Sequence, residues 1–420
     1  MKRGRLRFGA GDLFYIGGDI MSNEKKTYIF TTLYNIAHMF CTGAIIQTFL
    51  LQIGFSEQQV YLYNSLIQLA QVAMMLAMIF LSAKIKKVKL MTGISYLAIG
   101  IAAIVFLIGS INPNIAQKPY IIAVFIVSII SYLGVGMYSV LSYCLPYYTV
   151  DMQNYGKLMG LQMVFSGAAS FLFSFIHTFV VAKFDYMQSM SWFFILAIIC
   201  VILTAALCIS MKEKEQPDDM NQSSNKDFIA VFKNKDTYIL LLPNFFRGIA
   251  TGIVSVITII ALSNHILNEK TSSYINIVMQ LAMFIGNFFY AFTCKKFSST
   301  RLLLISTIGV CIFLPLCIGF NIVGFLVLFF VAYFFRMIID TAIPVVITEI
   351  IPQEQIGAYT SIRMLIFMAA QAVAPLLIMP IVNLVGYVGL LIFASVMQLI
   401  CGLVYYIVAK HRKNVMKESF

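Results

Sequence analysis

Apolar runs of about 20 residues or more recur along this sequence, with scarcely a charge inside them. Only 11% of the 420 residues are charged and the mean hydropathy is +0.90, whereas a soluble protein carries about 25% charged residues. Lipid must therefore be the solvent for most of the chain. In lipid a backbone has to satisfy its own hydrogen bonds, which leaves helices or a closed barrel. The runs do not alternate in polarity, and barrel strands are about 10 residues long with period two. The expected class is an all-α membrane protein.

Twelve spans are predicted, at 28–51, 58–82, 89–111, 119–146, 156–181, 191–211, 237–262, 272–292, 302–320, 323–348, 359–383 and 386–409. They divide the chain into an N-terminal segment 1–27, a six-helix bundle 28–211, a polar linker 212–236, a second six-helix bundle 237–409 and a tail 410–420. Phe228–Phe232 in the linker is expected to form a short surface helix. With the N-terminus inside, 24 of the 29 Lys and Arg residues fall on cytoplasmic pieces, and only Lys118, Lys183 and Lys270 on outer loops. That asymmetry places both termini in the cytoplasm and the protein in the plasma or inner membrane. It also makes the net charge of +12 a matter of topology and anionic lipid, not of nucleic acid. Translation is expected to begin at Met21, because Met21-Ser-Asn-Glu-Lys-Lys reads as a natural start after the unusual Gly17-Gly18-Asp19-Ile20. No signal sequence is expected.

The two halves repeat one another. Asn35-Ile-Ala-His38-Met-Phe-Cys-Thr42-Gly43 returns as Asn244-Phe-Phe-Arg247-Gly-Ile-Ala-Thr251-Gly252, and Asn64-Ser-Leu-Ile-Gln68-Leu69-Ala70 returns as Asn276-Ile-Val-Met-Gln280-Leu281-Ala282. The basic run Lys84–Lys89 after span 2 matches Lys295–Arg301 after span 8. Pro146 and Asp151 at the end of span 4 match Pro344 and Glu349 at the end of span 10. A period of half the chain indicates duplication of a whole bundle, in the same membrane direction because each half has an even number of spans.

Twelve spans, the parallel repeat, the long central loop and the basic loops after spans 2 and 8 resemble the major facilitator superfamily of transporters, over roughly residues 28–409. The loop Leu81–Lys87 carries only the basic part of that family's signature there, and Phe165–Ser170 lacks the Gly-Pro of its drug antiporters. The resemblance implies that spans 1, 4, 7 and 10 line a cavity, that 2, 5, 8 and 11 join the halves, and that 3, 6, 9 and 12 face lipid. The polar residues agree independently: Asn35, His38 and Thr42 share one face of span 1, Asn64, Gln68 and Gln71 one face of span 2, and Asn276, Gln280 and Asn287 form a stripe on span 8.

Charges inside spans are costly, at roughly 2.5–3.5 kcal/mol each on insertion scales, so Arg247, Arg336 and Asp340 are expected to face a wet interior or a partner. Arg336 and Asp340 are i, i+4 with Tyr333 beside them; they are expected to pair, and Asp340 to exchange a proton under the influence of Arg336. Arg247 and its repeat equivalent His38 are read as a clamp on a solute, with Asn35, Thr42, Asn64, Gln68, Asn244, Thr251, Asn276, Gln280, Tyr333 and Arg336 lining the site. Lys84, Asp151, Lys295 and Glu349 are read as a cytoplasmic gate, with Arg363 at a cytoplasmic helix end. His177, without a repeat counterpart, is read as packed. Two arginines and a histidine against one aspartate favour an anionic or oxygen-rich solute, sugars included.

The expected activity is secondary transport of a small polar solute by alternating access, with a proton as coupling ion. Efflux of amphipathic compounds is the rival within transport, and a non-transporting sensor the rival outside it. The eight cysteines lack ligand spacing and no nucleotide-binding loop is present, so no metal, cofactor or enzymatic activity is expected. The expected partners are the solute, membrane lipids and the proton, with the chain acting as a monomer.

Overall fold

A computed structural model describes residues 21–81, 85, 87–112, 118–149, 155–212, 239–294, 296–351 and 356–418. The proposed start at Met21 concerns residues 1–20, and these, with most of the linker and its expected helix at 228–232, lie outside the described residues.

Span 1 is broken into α1 (Asn23–Cys41) and α2 (Gly43–Gln52). The rest of the first half is α3 (Glu57–Leu81), α4 (Val88–Ile111), α5 (Lys118–Thr149), α6 (Tyr155–Lys183) and α7 (Tyr186–Ile209). Span 7 is also broken, into α8 (Leu242–Val254) and α9 (Ile257–Ser263), with a bend of 42°. Then follow α10 (Tyr274–Thr293), α11 (Ser299–Leu316), α12 (Ile322–Ile350) and α13 (Ile356–Glu418). The last is interrupted at Gly386 (φ 70°), so it supplies spans 11 and 12. Nine helices among the described residues are long and apolar enough to cross a membrane, ten if the bent pair is one span, and Tyr274–Tyr290 is a shorter apolar helix. Splitting α13 at Gly386 and adding α10 accommodates the twelve expected spans.

Short polar residues cap the helices where the chain turns. Ser22, Asp185, Ser298 and Asn321 accept backbone N–H bonds from Lys25, Gln188, Arg301 and Gly324 and thereby satisfy donors a helix start leaves open. Outward faces are apolar, the reverse of a protein dissolved in water. Ile94, Ile101 and Ile108 repeat every seventh residue on α4, and Phe284, Phe288 and Phe292 every fourth on α10, all exposed.

Within the first half, α4 packs on α5 and α7, α1 on α6 and α7, and α3 on α5; within the second, α8 packs on α13, α11 on α12 and α13, and α10 on α12. The halves meet through α3 with α13, α6 with α10, and the short α2 with α9. These are spans 2, 5, 8 and 11, the set the family resemblance assigned to the seam, together with the upper parts of spans 1 and 7. α8 lies close against α13. A Cβ added to Gly248 would stand 2.4 Å from the Phe367 carbonyl oxygen, and one added to Gly252 would stand 2.5 Å from that of Gln371. Gly-x-x-x-Gly lets the backbones touch, as small residues do between helices in lipid.

Candidate functional site

Arg247 lies on α8 at 8% exposure and donates through Nη2 to the Asp340 carboxylate on α12. Its guanidinium also stacks over Phe367 of α13, 4.6 Å from the ring centroid. A charge that lipid penalises is thus held by a partner from a different helix. This corrects the expectation that Asp340 pairs with Arg336 one turn away on the same helix. Helical spacing allowed the i, i+4 contact, but the tight α8–α13 packing aims Arg247 at Asp340. The Asp340 side chain keeps 31% of its surface open. Arg336 instead lies over its neighbour Tyr333, 5.1 Å from the ring centroid, and lines a small cavity with Thr251, Val254, Val310, Leu314 and Gln398.

One turn before Arg247, Asn244 is fully buried. Its Nδ2 donates to the Leu240 carbonyl and to the Tyr405 hydroxyl, both at 2.9 Å, and the Tyr405 hydroxyl lies 3.2 Å from its Oδ1. The Tyr359 hydroxyl donates to the same Leu240 carbonyl at 2.8 Å. Together these bonds tie the start of α8 to both arms of α13. Beside this network stands a residue that sequence reasoning misplaced. Arg363, expected at a solvated helix end, is buried at 5% exposure. It occupies the face of α13 that also presents Phe367, Gln371 and Ala374 to α8, one turn before Phe367. The signal available in the sequence was the spacing 363, 367, 371 and 374, a single helical stripe.

In the first half, Asn35, His38 and Thr42 are half-buried, and the Thr42 hydroxyl lies 3.3 Å from Nδ1 of His38 while donating to the His38 carbonyl at 2.7 Å. Asn64 is buried, donating to the Val60 carbonyl at 2.8 Å and accepting from Gln47 at 3.4 Å. Gln68, Asn276 and Gln280 are half-buried, and Oε1 of Gln280 has no hydrogen-bond partner. Thr251 is buried beside Arg336, and Asn287 accepts from Thr341 at 2.8 Å. His177 packs between Phe40 and Phe193, with ring centroids 6.0 and 4.8 Å away, as a buried histidine without repeat support was expected to.

The halves are closed at the end that carries the 53–56 and 264–273 loops. Gln47 of α2 donates to the Ser255 carbonyl at 2.9 Å, Tyr387 to Glu57 at 3.1 Å, and Gln52 to Glu269 at 3.5 Å. Gln47 was absent from the sequence-based site. It becomes legible only through the break in span 7, because Ile259 and Ile260 both bond to Val256 and leave the Ser255 carbonyl without a helical donor. Of the expected gate, Lys84, Asp151 and Lys295 lie outside the described residues, as does the side chain of Glu349.

Residues 240–419 match the family described as Major Facilitator Superfamily. No curated protein matches the sequence. Among solved structures, the chain is similar to a D-xylose-proton symporter (14% identity, TM-score 0.67, covering 91% of this chain and 96% of that one). It is also similar to the nucleoside transporter NupG (15%, TM-score 0.66, 94% and 100%) and to a variant of the E. coli fucose:proton symporter (13%, TM-score 0.60, 93% and 97%). At these identities the likeness is one of fold.

Proposed function

We propose that this chain, a major facilitator superfamily protein by its fold and by the sequence of its second half, is a secondary active transporter of a small polar solute. The solute carries hydroxyl or oxyanion groups and crosses by alternating access, with a proton as coupling ion. The observation that carries the reading is the buried Arg247–Asp340 pair joining α8 to α12. A protein dissolved in lipid retains such a pair where its breaking and remaking is useful.

Asp340 is open enough to meet water in a cavity. Protonation there would neutralise the carboxylate and release the Arg247 guanidinium to a solute oxygen; solute binding would in turn favour the open form of the pair. Asn35, His38, Thr42 and Gln68 from the first half, and Arg247, Tyr333, Arg336, Asn276 and Gln280 from the second, offer the donors and acceptors that a hydroxyl-rich molecule needs. Asn64, Asn244 and Thr251 hold the walls. The named activities of the D-xylose, fucose and nucleoside transporters of like fold support a solute of this kind. Charge asymmetry supports cytoplasmic termini and a cell-membrane location. Lys84, Asp151, Lys295 and Glu349 remain the proposed cytoplasmic gate.

Uptake of radiolabelled sugars, nucleosides and small organic anions into proteoliposomes, with and without an imposed pH gradient, tests the reading. Gradient-stimulated accumulation of at least one solute is expected. Asp340→Asn is expected to abolish the stimulation; an Asp340→Asn protein that still responds to the gradient in full would remove Asp340 from the coupling step.

A further inference from the structure

Arg363 is a buried cation most of whose hydrogen-bonding capacity is unused. Among the described residues, Nε and Nη1 have no hydrogen-bond partner, and Nη2 has only the Met364 sulfur, 3.7 Å away, a soft and weak acceptor. Both forks of the guanidinium, Nε with Nη2 and Nη1 with Nη2, are therefore open. Its electrostatic neighbours are Tyr405, Arg247, Tyr359 and Cys401. None of these described neighbours supplies a negative charge, and Arg247 adds a positive one. The Asp340 carboxylate is already held by Arg247. The Tyr359 and Tyr405 hydroxyls, 3.5 Å apart, border the guanidinium with further oxygen and hydrogen-bond capacity. A lone buried charge in low dielectric is strongly disfavoured unless something pairs with it. A planar guanidinium with open forks is the side chain best matched to a carboxylate or a phosphate.

We propose that Arg363, framed by Tyr359 and Tyr405 between α8 and α13, binds an oxyanion group, a carboxylate or phosphate, carried by the transported solute. The inference rests on the transport reading and narrows it from oxygen-rich solutes in general to acidic ones. An oxyanion bound there would offset the buried charge of Arg363, which the Arg247–Asp340 pair leaves unmatched. Arg247 stands one helical turn further along the same contact, with Phe367 between them. A solute held at Arg363 therefore lies next to the ion pair whose opening the transport step requires.

The test is thermal unfolding of the detergent-purified full-length protein in inorganic phosphate or acetate, against chloride at equal ionic strength. A saturable rise in the unfolding midpoint of about 3 °C is expected for the parent. Arg363→Gln should lose the rise. Arg363→Lys, which keeps the charge and loses the fork, should need at least about tenfold more anion, and it decides the matter if the glutamine variant does not fold. Gly167→Ala, at a position with nothing within 4 Å of an added Cβ, should leave the rise in place. No rise in the parent, or an undiminished one in Arg363→Gln, overturns the proposal. So does a rise that appears only in Glu349→Gln, since Glu349 would then be the natural partner of Arg363. A rise with phosphatidylglycerol but not with inorganic phosphate would assign the guanidinium to a lipid headgroup and overturn the solute site. The measurement needs no gradient, so its failure is separate from a failure to transport in proteoliposomes.

Discussion

Arg247 and Asp340 occupy positions where either charge alone would be intolerable. Each lies within a span, and each is tolerated because the other neutralises it. Removing one partner therefore costs more than removing both. Arg247→Met is expected to destabilise the purified protein by about 3–5 kcal/mol and to abolish uptake. Arg247→Met with Asp340→Met should recover most of the stability and none of the transport, as read by thermal unfolding and proteoliposome uptake. A double variant as unstable as the single one would show that the pair is not what holds α8 to α12. The repeat drew attention to Arg247 and Asn244 because each matches a polar residue 209 positions earlier. It was silent on Arg363, which has no such echo, and on which arginine meets Asp340, because pairing between helices is set by their rotation and not by spacing along either one.

At the scale of the helix, the breaks in spans 1 and 7 carry the interest. Span 1 breaks at Thr42-Gly43, where the Thr42 hydroxyl bonds back to the His38 carbonyl and Gly43 adopts φ 59°, a backbone region that a side chain would strain. Span 7 breaks after Thr251-Gly252, about one turn later in the repeat, and frees the Ser255 carbonyl that Gln47 then satisfies. Gln47→Leu leaves that carbonyl unpaired at the meeting point of the halves. A loss of about 1–3 kcal/mol is expected, with the equilibrium moving toward the state open at this end; unchanged accessibility of a cysteine probe placed in the 53–56 loop would count against it. Gly252 makes a different demand. Its Cα faces the Gln371 carbonyl and the Ala374 methyl, so Gly252→Val must push α8 off α13. Loss of folded protein, seen as aggregation on size-exclusion chromatography, is expected, whereas Gly167→Ala, with nothing within 4 Å of an added Cβ, should behave as the parent.

For the whole molecule, the proposed alternating-access cycle would have the closed end and the seam as one of its two states. Gln47 with Ser255, Glu57 with Tyr387 and Gln52 with Glu269 bridge the halves at that end. These polar contacts, at 2.9, 3.1 and 3.5 Å, are few enough to exchange for solvent when the halves rock apart. Cysteines placed at Glu57 and Tyr387 and bridged by a short bis-maleimide should stop uptake without loss of solute binding. Uptake that persists after complete cross-linking would mean that transport does not require this end to open.

How much of this was legible beforehand follows from what each property depends on. Membrane residence, the helical class, the span positions to within a few residues and the doubled architecture depend on composition, run length and repetition, all local or additive along the chain, and the sequence alone determined them. The seam helices were expected from the family resemblance, with which the polar stripes of spans 2 and 8 agreed. Tertiary structure decided the rest: that Asp340 belongs to Arg247, that Gln47 closes on a broken span, and that Arg363 is enclosed with its forks empty. Each depends on the rotation of one helix against another. In lipid that rotation is set by close packing at Gly248 and Gly252 and by the few polar groups that must find partners, and hydrophobic periodicity along a single span encodes neither.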